Sequence, residues 1–185
     1  MEELNFDVVV VGGGPAGSSA AHMAAKNGCT VALIEKEKEI AETVRTSGVT
    51  WISDINEFGI PKDCYNPIKK FSFCSPKNYV TIADDVAKAA VLDVRKTYRF
   101  LATRAKSSGS ELFTDTNVSE VLKNSDGKCV GVVAKSQGRL IQYNAKVVID
   151  ASGFTSIVAK ELGYVTQWKK FGAGAEFEVK TEKLE

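Results

Sequence analysis

The hydrophobic positions change rhythm along the chain, and each change marks an element. Phe6 to Val11 reads FDVVVV, an apolar β-branched run without alternation. Such a run suits a strand buried on both faces, as in a parallel sheet. It runs into Gly12-Gly13-Gly14-Pro15-Ala16-Gly17, after which Ser18 to Asn27 is rich in Ala and reads as a helix that Gly28 closes. Thr30 to Ile34 is a second buried-type strand, so residues 6–35 make one βαβ unit.

From Glu37 to Asp63 helical patches are broken by Gly48, Gly59 and Pro61. Ile68 to Cys74 and Tyr79 to Ala83 read as strands around a Ser75-Pro76-Lys77-Asn78 turn. Asp93 to Ser108 carries Phe100, Leu101 and Ala105 on one helical stripe and ends at Gly109; Glu111 to Thr114 is a short strand. Val118 to Lys123, Cys129 to Ser136 and Leu140 to Tyr143 alternate, with Asp126-Gly127 and Gln137-Gly138 between them, which predicts a β-meander. Lys146 to Asp150 is another buried-type strand and enters Ala151-Ser152-Gly153. A helix from about Ser156 to Leu162 and an alternating strand over Phe171 to Lys180 complete the reading.

Composition narrows the class without naming a function. At 185 residues, 44% hydrophobic and 25% charged, the chain is an ordinary globular one, not disordered, collagenous or a coiled coil. Lys plus Arg is 24 against 23 acids, so charge makes no case for a nucleic-acid partner. The Lys69-Lys70 and Lys169-Lys170 doublets are too short to change that. No apolar run reaches the length of a bilayer span. The acidic opening Met-Glu-Glu-Leu-Asn runs into a strand rather than a signal peptide, which predicts a cytoplasmic protein with reduced thiols. Four cysteines without a Cys-x-x-Cys pair, and one histidine, predict no metal site.

The chemistry-bearing pattern is Gly12-x-Gly14-x-x-Gly17 between a strand and a helix. The first glycine allows the tight turn, the second a close backbone approach to pyrophosphate, and the third close packing of helix on strand. Pro15 and Ala16 complete the turn, where the helix N-terminus offers N–H groups to an anion. Glu35, at the end of the second strand, is spaced to accept hydrogen bonds from both hydroxyls of an adenosine ribose. A 2′-phosphate beside that carboxylate would cost about 4 kcal/mol at 4 Å and intermediate dielectric, so NADP is disfavoured, although Lys36 softens the repulsion. FAD and NAD both remain on this motif alone.

Together, DVVVVGGGPAGSSAA, VALIEKE, VRTSGV at 44–49, VLDVRKTYRFLATRAKSSGSEL at 91–112, VVIDASGFTSIVAKELG at 147–163 and GAEFEV at 174–179 resemble the N-terminal part of the FAD-dependent oxidoreductases of the para-hydroxybenzoate hydroxylase fold, closest to their geranylgeranyl reductase-like branch. The resemblance implies a three-layer α/β FAD/NAD(P)-binding, Rossmann-like domain with an inserted β-meander, C-terminally incomplete. It implies one FAD-binding portion over 1–185, with residues 65–85 opening a substrate-domain β-hairpin insertion. It also implies that Arg45 lies near the flavin, that Arg95 supports the FAD phosphates, that the backbone at Val118 meets the adenine, and that Ala151 and Gly153 belong to a second nucleotide motif.

There are departures from the pattern. Ser152 stands where many relatives have Asp, and Thr46 and Ser47 occupy the loop where several reductases carry a Cys. The third family motif, Gly-Asp before a helix, does not occur by Glu185. The expected activity is that of a flavoprotein oxidoreductase: electrons from an external donor saturate a C=C bond of an isoprenoid lipid, with membrane contact implied by the family alone. Two alternatives stand beside it: a flavin-dependent monooxygenase or halogenase, and a non-catalytic nucleotide-binding fragment or subunit that needs a partner. No catalytic side chain is assigned. His22, Asp84-Asp85 and the aromatic group Trp51, Phe58, Phe71 and Phe73 read as ordinary structure, the aromatics as core.

Overall fold

The computed structural model describes residues 1–164 together with Gly172 and Gly174. The expected strand over 171–180 lies outside the described residues. In chain order the elements are β1 (Glu2–Val11), α1 (Pro15–Lys26), β2 (Val31–Ile34), β3 (Val49–Trp51), α2 (Ile52–Glu57), β4 (Tyr65–Ile68), β5 (Lys70–Cys74), β6 (Tyr79–Ala83), β7 (Ala89–Leu92), α3 (Val94–Ser107), β8 (Glu111–Phe113), β9 (Thr116–Lys123), β10 (Cys129–Ser136), β11 (Arg139–Asp150) and α4 (Ile157–Glu161). Single turns of 3₁₀ helix cover Lys62–Cys64 and Gly153–Thr155. The chain divides into two compact units. One holds Met1–Thr43 with residues 95–164; the other holds Val44–Val94 with Gly172 and Gly174.

The first unit is built on a six-stranded sheet in the order β8-β2-β1-β11-β10-β9. β8, β2, β1 and β11 run parallel, whereas β9 and β10 join antiparallel. The unbroken apolar run of β1 is explained by layers on both faces. Val9 and Val11, with Ala32 and Ile34 of β2, pack against Val118, Val121, Val132, Ala134 and Tyr143 of the meander. Val8 and Val10, with Val31 and Leu33, pack against Ala21 and Ala25 of α1 and Ala105 of α3. Because a strand alternates faces every residue, each run feeds two cores. The expected three layers are thus helices, parallel sheet and meander.

One boundary differs from the sequence reading. The strands expected at Leu140–Tyr143 and Lys146–Asp150 are a single strand, β11. Asn144 interrupts the apolar pattern but not the backbone; its side-chain amide donates to Asn5 Oδ1 on β1 at 3.1 Å. β11 therefore belongs to both layers: β10 pairs with its first half, and β1 pairs along nearly all of it.

The second unit has a three-stranded antiparallel sheet, β3-β7-β4, and a separate hairpin of β5 and β6. Pro67 sits in β4, an edge strand, where its missing N–H costs no ladder bond on the open side. The hairpin closes as expected through Ser75, whose N–H donates to the Asn78 carbonyl at 2.7 Å. The expected aromatic core is corrected here: Trp51, Phe58 and Phe73 are exposed and Phe71 is half-buried. Every residue of β6 is exposed, so no described element covers either face of it.

Candidate functional site

Three neighbouring parallel strands end at one level. Ile34, the last residue of β2, is in register with Val11, the last of β1, and Val11 is in register with Asp150, the last of β11. The residues that follow them, Glu35, Gly12 and Ala151, therefore emerge side by side at the carboxyl edge of the sheet. Ligands bind at this edge in open α/β sheets, because the backbone there turns away and leaves a crevice.

The turn after β1 is shaped by close approach. Gly12 has φ +108°, and a Cβ on it would run into the Ala151 carbonyl. A Cβ on Gly17 would run into the Gly12 carbonyl. Gly14 differs: no heavy atom lies within 4 Å of where its Cβ would stand. It is the N-cap of α1, with Pro15 opening the helix and no acidic residue in the first turn. Pro at that position has no N–H to leave unsatisfied, and the next amides have no intrahelical acceptor. Ser18 Oγ, buried, donates to the Gly13 carbonyl at 3.0 Å and ties the turn to the helix.

Glu35 closes the other side. Its Oε2 accepts the Gly13 N–H at 2.6 Å and its Oε1 accepts the Glu37 N–H at 2.9 Å. The carboxylate is half-buried beside the glycine turn, and a Cβ on Gly13 would press on Ile40 and on Glu35 itself. Lys36, the next residue, is exposed.

The turn after β11 lies against the first one. The Ala151 N–H donates to the Val11 carbonyl at 2.8 Å. Asp150 Oδ1 accepts the Ser152 N–H at 3.1 Å and the Ser152 hydroxyl at 2.6 Å, while Oδ2 accepts the Ala159 N–H at 2.8 Å. Burial pushes the Asp150 carboxyl up, but the Ser152 hydroxyl and the amides of Ala159, Ser152 and Val158 outweigh it and hold the group below its usual range. Ser152 Oγ in turn accepts the Ile157 N–H at 2.9 Å. An ionised carboxylate cannot donate, so the Ser152 hydrogen is committed to Asp150. Gly153 is exposed and takes φ +66°.

The structure thus brings together Gly12, Gly14, Pro15, Ala16, Gly17, Glu35, Ala151 and Gly153. Arg95 stands in the first turn of α3, exposed, with Nη2 reaching the Glu42 carbonyl at 3.5 Å. One turn on, Arg99 pairs with Glu39 at 2.7 Å and donates to the Ile40 carbonyl at 3.3 Å, so α3 fastens the loop that carries Ile40 onto Gly13. Val118 lies on β9 at the far edge of the sheet order, its side chain buried in the core. Arg45 belongs to the other unit, exposed on the segment before β3. The sequence reading missed Asp150 and Ile40. An Asp two residues before a Ser at a strand end is an Asx-turn signal and could have pointed to the first; nothing local marks the second.

His22 Nδ1 meets Ser108 Oγ at 2.7 Å and joins α1 to the end of α3, a structural role. Among the described residues no three His, Cys, Asp or Glu side chains converge as a metal site would need. The cradle fits the ADP part of a dinucleotide. It has open space beside Gly14, amides at a helix start with no acid near them, and a carboxylate at the end of β2.

The comparisons agree with this geometry. Residues 7–170 match the family model described as FAD dependent oxidoreductase. The digeranylgeranylglycerophospholipid reductase of Methanocaldococcus jannaschii is 35% identical over 192 residues, covering 100% of this chain and 48% of that protein. A geranylgeranyl bacteriochlorophyll reductase-like structure from Thermoplasma acidophilum superposes with a TM-score of 0.76 at 30% identity, over 82% of this chain and 40% of that one. A flavin-dependent brominase superposes at 0.70 with 25% identity, over 87% of this chain and 41% of that one. The chain spans about half the length of the reductase it matches.

Proposed function

The chain belongs to the FAD dependent oxidoreductase family, and from that premise we propose that it forms the ADP-binding part of a geranylgeranyl reductase-like flavoprotein. The observation that carries this reading is the alignment of three strand ends, which sets the glycine turn, Glu35 and the Ala151–Gly153 turn side by side. Gly14, Ala16 and Gly17 offer backbone amides to the pyrophosphate, Gly12 and Pro15 shape the turn that presents them, and the room beside Gly14 receives it. Glu35 holds the ribose hydroxyls; Ala151 and Gly153 form the opposite wall. Lys36, Arg45, Arg95 and the backbone at Val118 add contacts along the cofactor, a role drawn from the family resemblance.

FAD, when bound, supplies the electron-transfer chemistry; the chain's part is to bind and orient it. In the intact enzyme, electrons from an external donor saturate a C=C bond of an isoprenoid lipid. The names of the relatives support this substrate, and the reductase likeness exceeds the brominase likeness in both identity and superposition. Residues 1–43 and 95–164 form the cofactor portion, and the 65–85 region opens the substrate portion. A reducing, cytoplasmic setting suits four cysteines of which none is in a disulfide. No helix among the described residues is long and apolar enough to cross a membrane.

The test is the visible absorption spectrum of the purified chain before and after FAD is added and the excess removed. Flavin bands that stay with the protein are expected. A demonstrably folded chain that retains no flavin and binds NAD instead would overturn the reading. Anaerobic reduction of the loaded protein, followed by an isoprenoid screen and a halide-plus-oxygen screen, separates the reductase from the halogenase.

A further inference from the structure

The Asp150 carboxylate does more than end a strand. It collects three hydrogen bonds from the segment that follows it: two from Ser152 and one from the Ala159 N–H. With the Ile157 N–H donating to Ser152 Oγ, residues 150–159 close into one hydrogen-bonded loop. That loop is not remote from the glycine turn. The Ala151 N–H bonds the Val11 carbonyl, and the Ala151 carbonyl occupies the space that a Cβ on Gly12 would need. The Ala151 Cβ lies against the position of a Cβ on Gly17, at 3.2 Å. The shape of the first turn is therefore set partly by where the second turn stands.

We propose that Asp150 is a positioning residue for the nucleotide cradle: through Ser152 and Ala159 it holds the Ala151–Gly153 turn against the Gly12–Gly17 turn, and so sets the path of the amides that receive the pyrophosphate. The proposal rests on the FAD-binding reading for its ligand, but its structural half stands without one. Ser152 acts with Asp150 and not as a phosphate donor, because its hydroxyl hydrogen is committed. Asparagine cannot replace the aspartate. Its single oxygen can serve either Ser152 or Ala159, and its NH₂ then faces a donor on the other side.

The experiment compares the whole chain as wild type, Asp150→Asn, Ser152→Ala and the double variant. Hydrogen exchange without FAD is read on peptides covering 11–17 and 150–159, and FAD affinity is read by flavin fluorescence and visible circular dichroism. In Asp150→Asn, exchange is expected to rise in both peptides while β2 stays protected. FAD affinity is expected to fall about tenfold, the size of one lost charge-assisted hydrogen bond. Ser152→Ala gives a smaller fall, since Asp150 keeps the Ser152 and Ala159 amides, and the double variant is no worse than Asp150→Asn.

Faster exchange confined to 150–159, with 11–17 and FAD affinity unchanged, would make Asp150 a local cap and overturn the proposal. If Asp150→Asn does not fold, Ser152→Ala decides by the same two readouts. A folded wild type that binds NAD in place of FAD would sink the cofactor reading, whereas the exchange result still decides the role of Asp150.

Discussion

At Gly12 the backbone takes φ +108° and has the Ala151 carbonyl where a side chain would begin; at Gly14 it does neither. Two glycines of one motif are therefore there for different reasons, and alanine separates them. Gly12→Ala meets both a left-handed backbone and a clash, a cost of about 1–3 kcal/mol or more. Its melting temperature is expected to fall by several degrees. Gly14→Ala has room and an ordinary backbone, so its melting temperature stays within about a degree. On the proposed function the methyl group enters the room that receives the pyrophosphate, so FAD retention is expected to be lost all the same. Thermal melts and FAD titration on the two variants check this. Equal loss of stability in both would show that Gly14 is merely a folding residue. The motif was legible in the sequence because glycine spacing is local. Which glycine serves the fold and which the ligand depends on Ala151, well over a hundred positions away.

Among the elements, β1 ties the sheet together at its entry as well as at its exit. Asp7 accepts hydrogen bonds from the Thr30 N–H and hydroxyl, each at 2.9 Å, and pairs with Lys146 at 2.7 Å. It thus links the start of β2 to the middle of β11. The Lys146 hydrogen bond, with those from Thr30, holds the Asp7 carboxyl down to about 2. A carboxyl depressed in the folded state stabilises the fold above its ordinary pKa, and that contribution is lost as pH falls through the folded value. The acid limb of stability between about pH 4 and pH 2 should therefore be shallower in Asp7→Asn than in the wild type, as read from urea midpoints. An identical limb in both would remove Asp7 from the account. Strand existence was legible here from β-branched runs. Strand continuity was not: Asn144 looks like a break in sequence, and its bond to Asn5 needs β1 beside it.

For the molecule as a whole, the two units differ in how much they bury. The described clusters of buried apolar residues lie in the first unit. In the second, β5 and β6 pair among the described residues only with each other and leave Phe73, Tyr79, Val80 and Ile82 exposed. A two-stranded hairpin without a covering layer is marginal by itself. Native-state hydrogen exchange should accordingly be slowest in β1, β2 and the second half of β11. It should approach unprotected rates in β5 and β6. Strong protection of the hairpin would show that it is covered in solution.

What the sequence determined by itself was everything that repeats at short range. The period of apolar residues set the strands and helices, glycine spacing marked the turn between β1 and α1, and the end of the second apolar run put the Glu35 carboxylate at a strand end. A two-residue side-chain period and a tight turn need only near neighbours, so these signals survive without a fold. Tertiary structure decided the rest. It set Ile34, Val11 and Asp150 at one level, made β11 a strand of two layers, put the Ala151 turn against the glycine turn, and left Phe73 and Trp51 at the surface rather than in a core. Those facts depend on the register of strands far apart in the chain, and register is an energy of packing between layers that no local pattern carries.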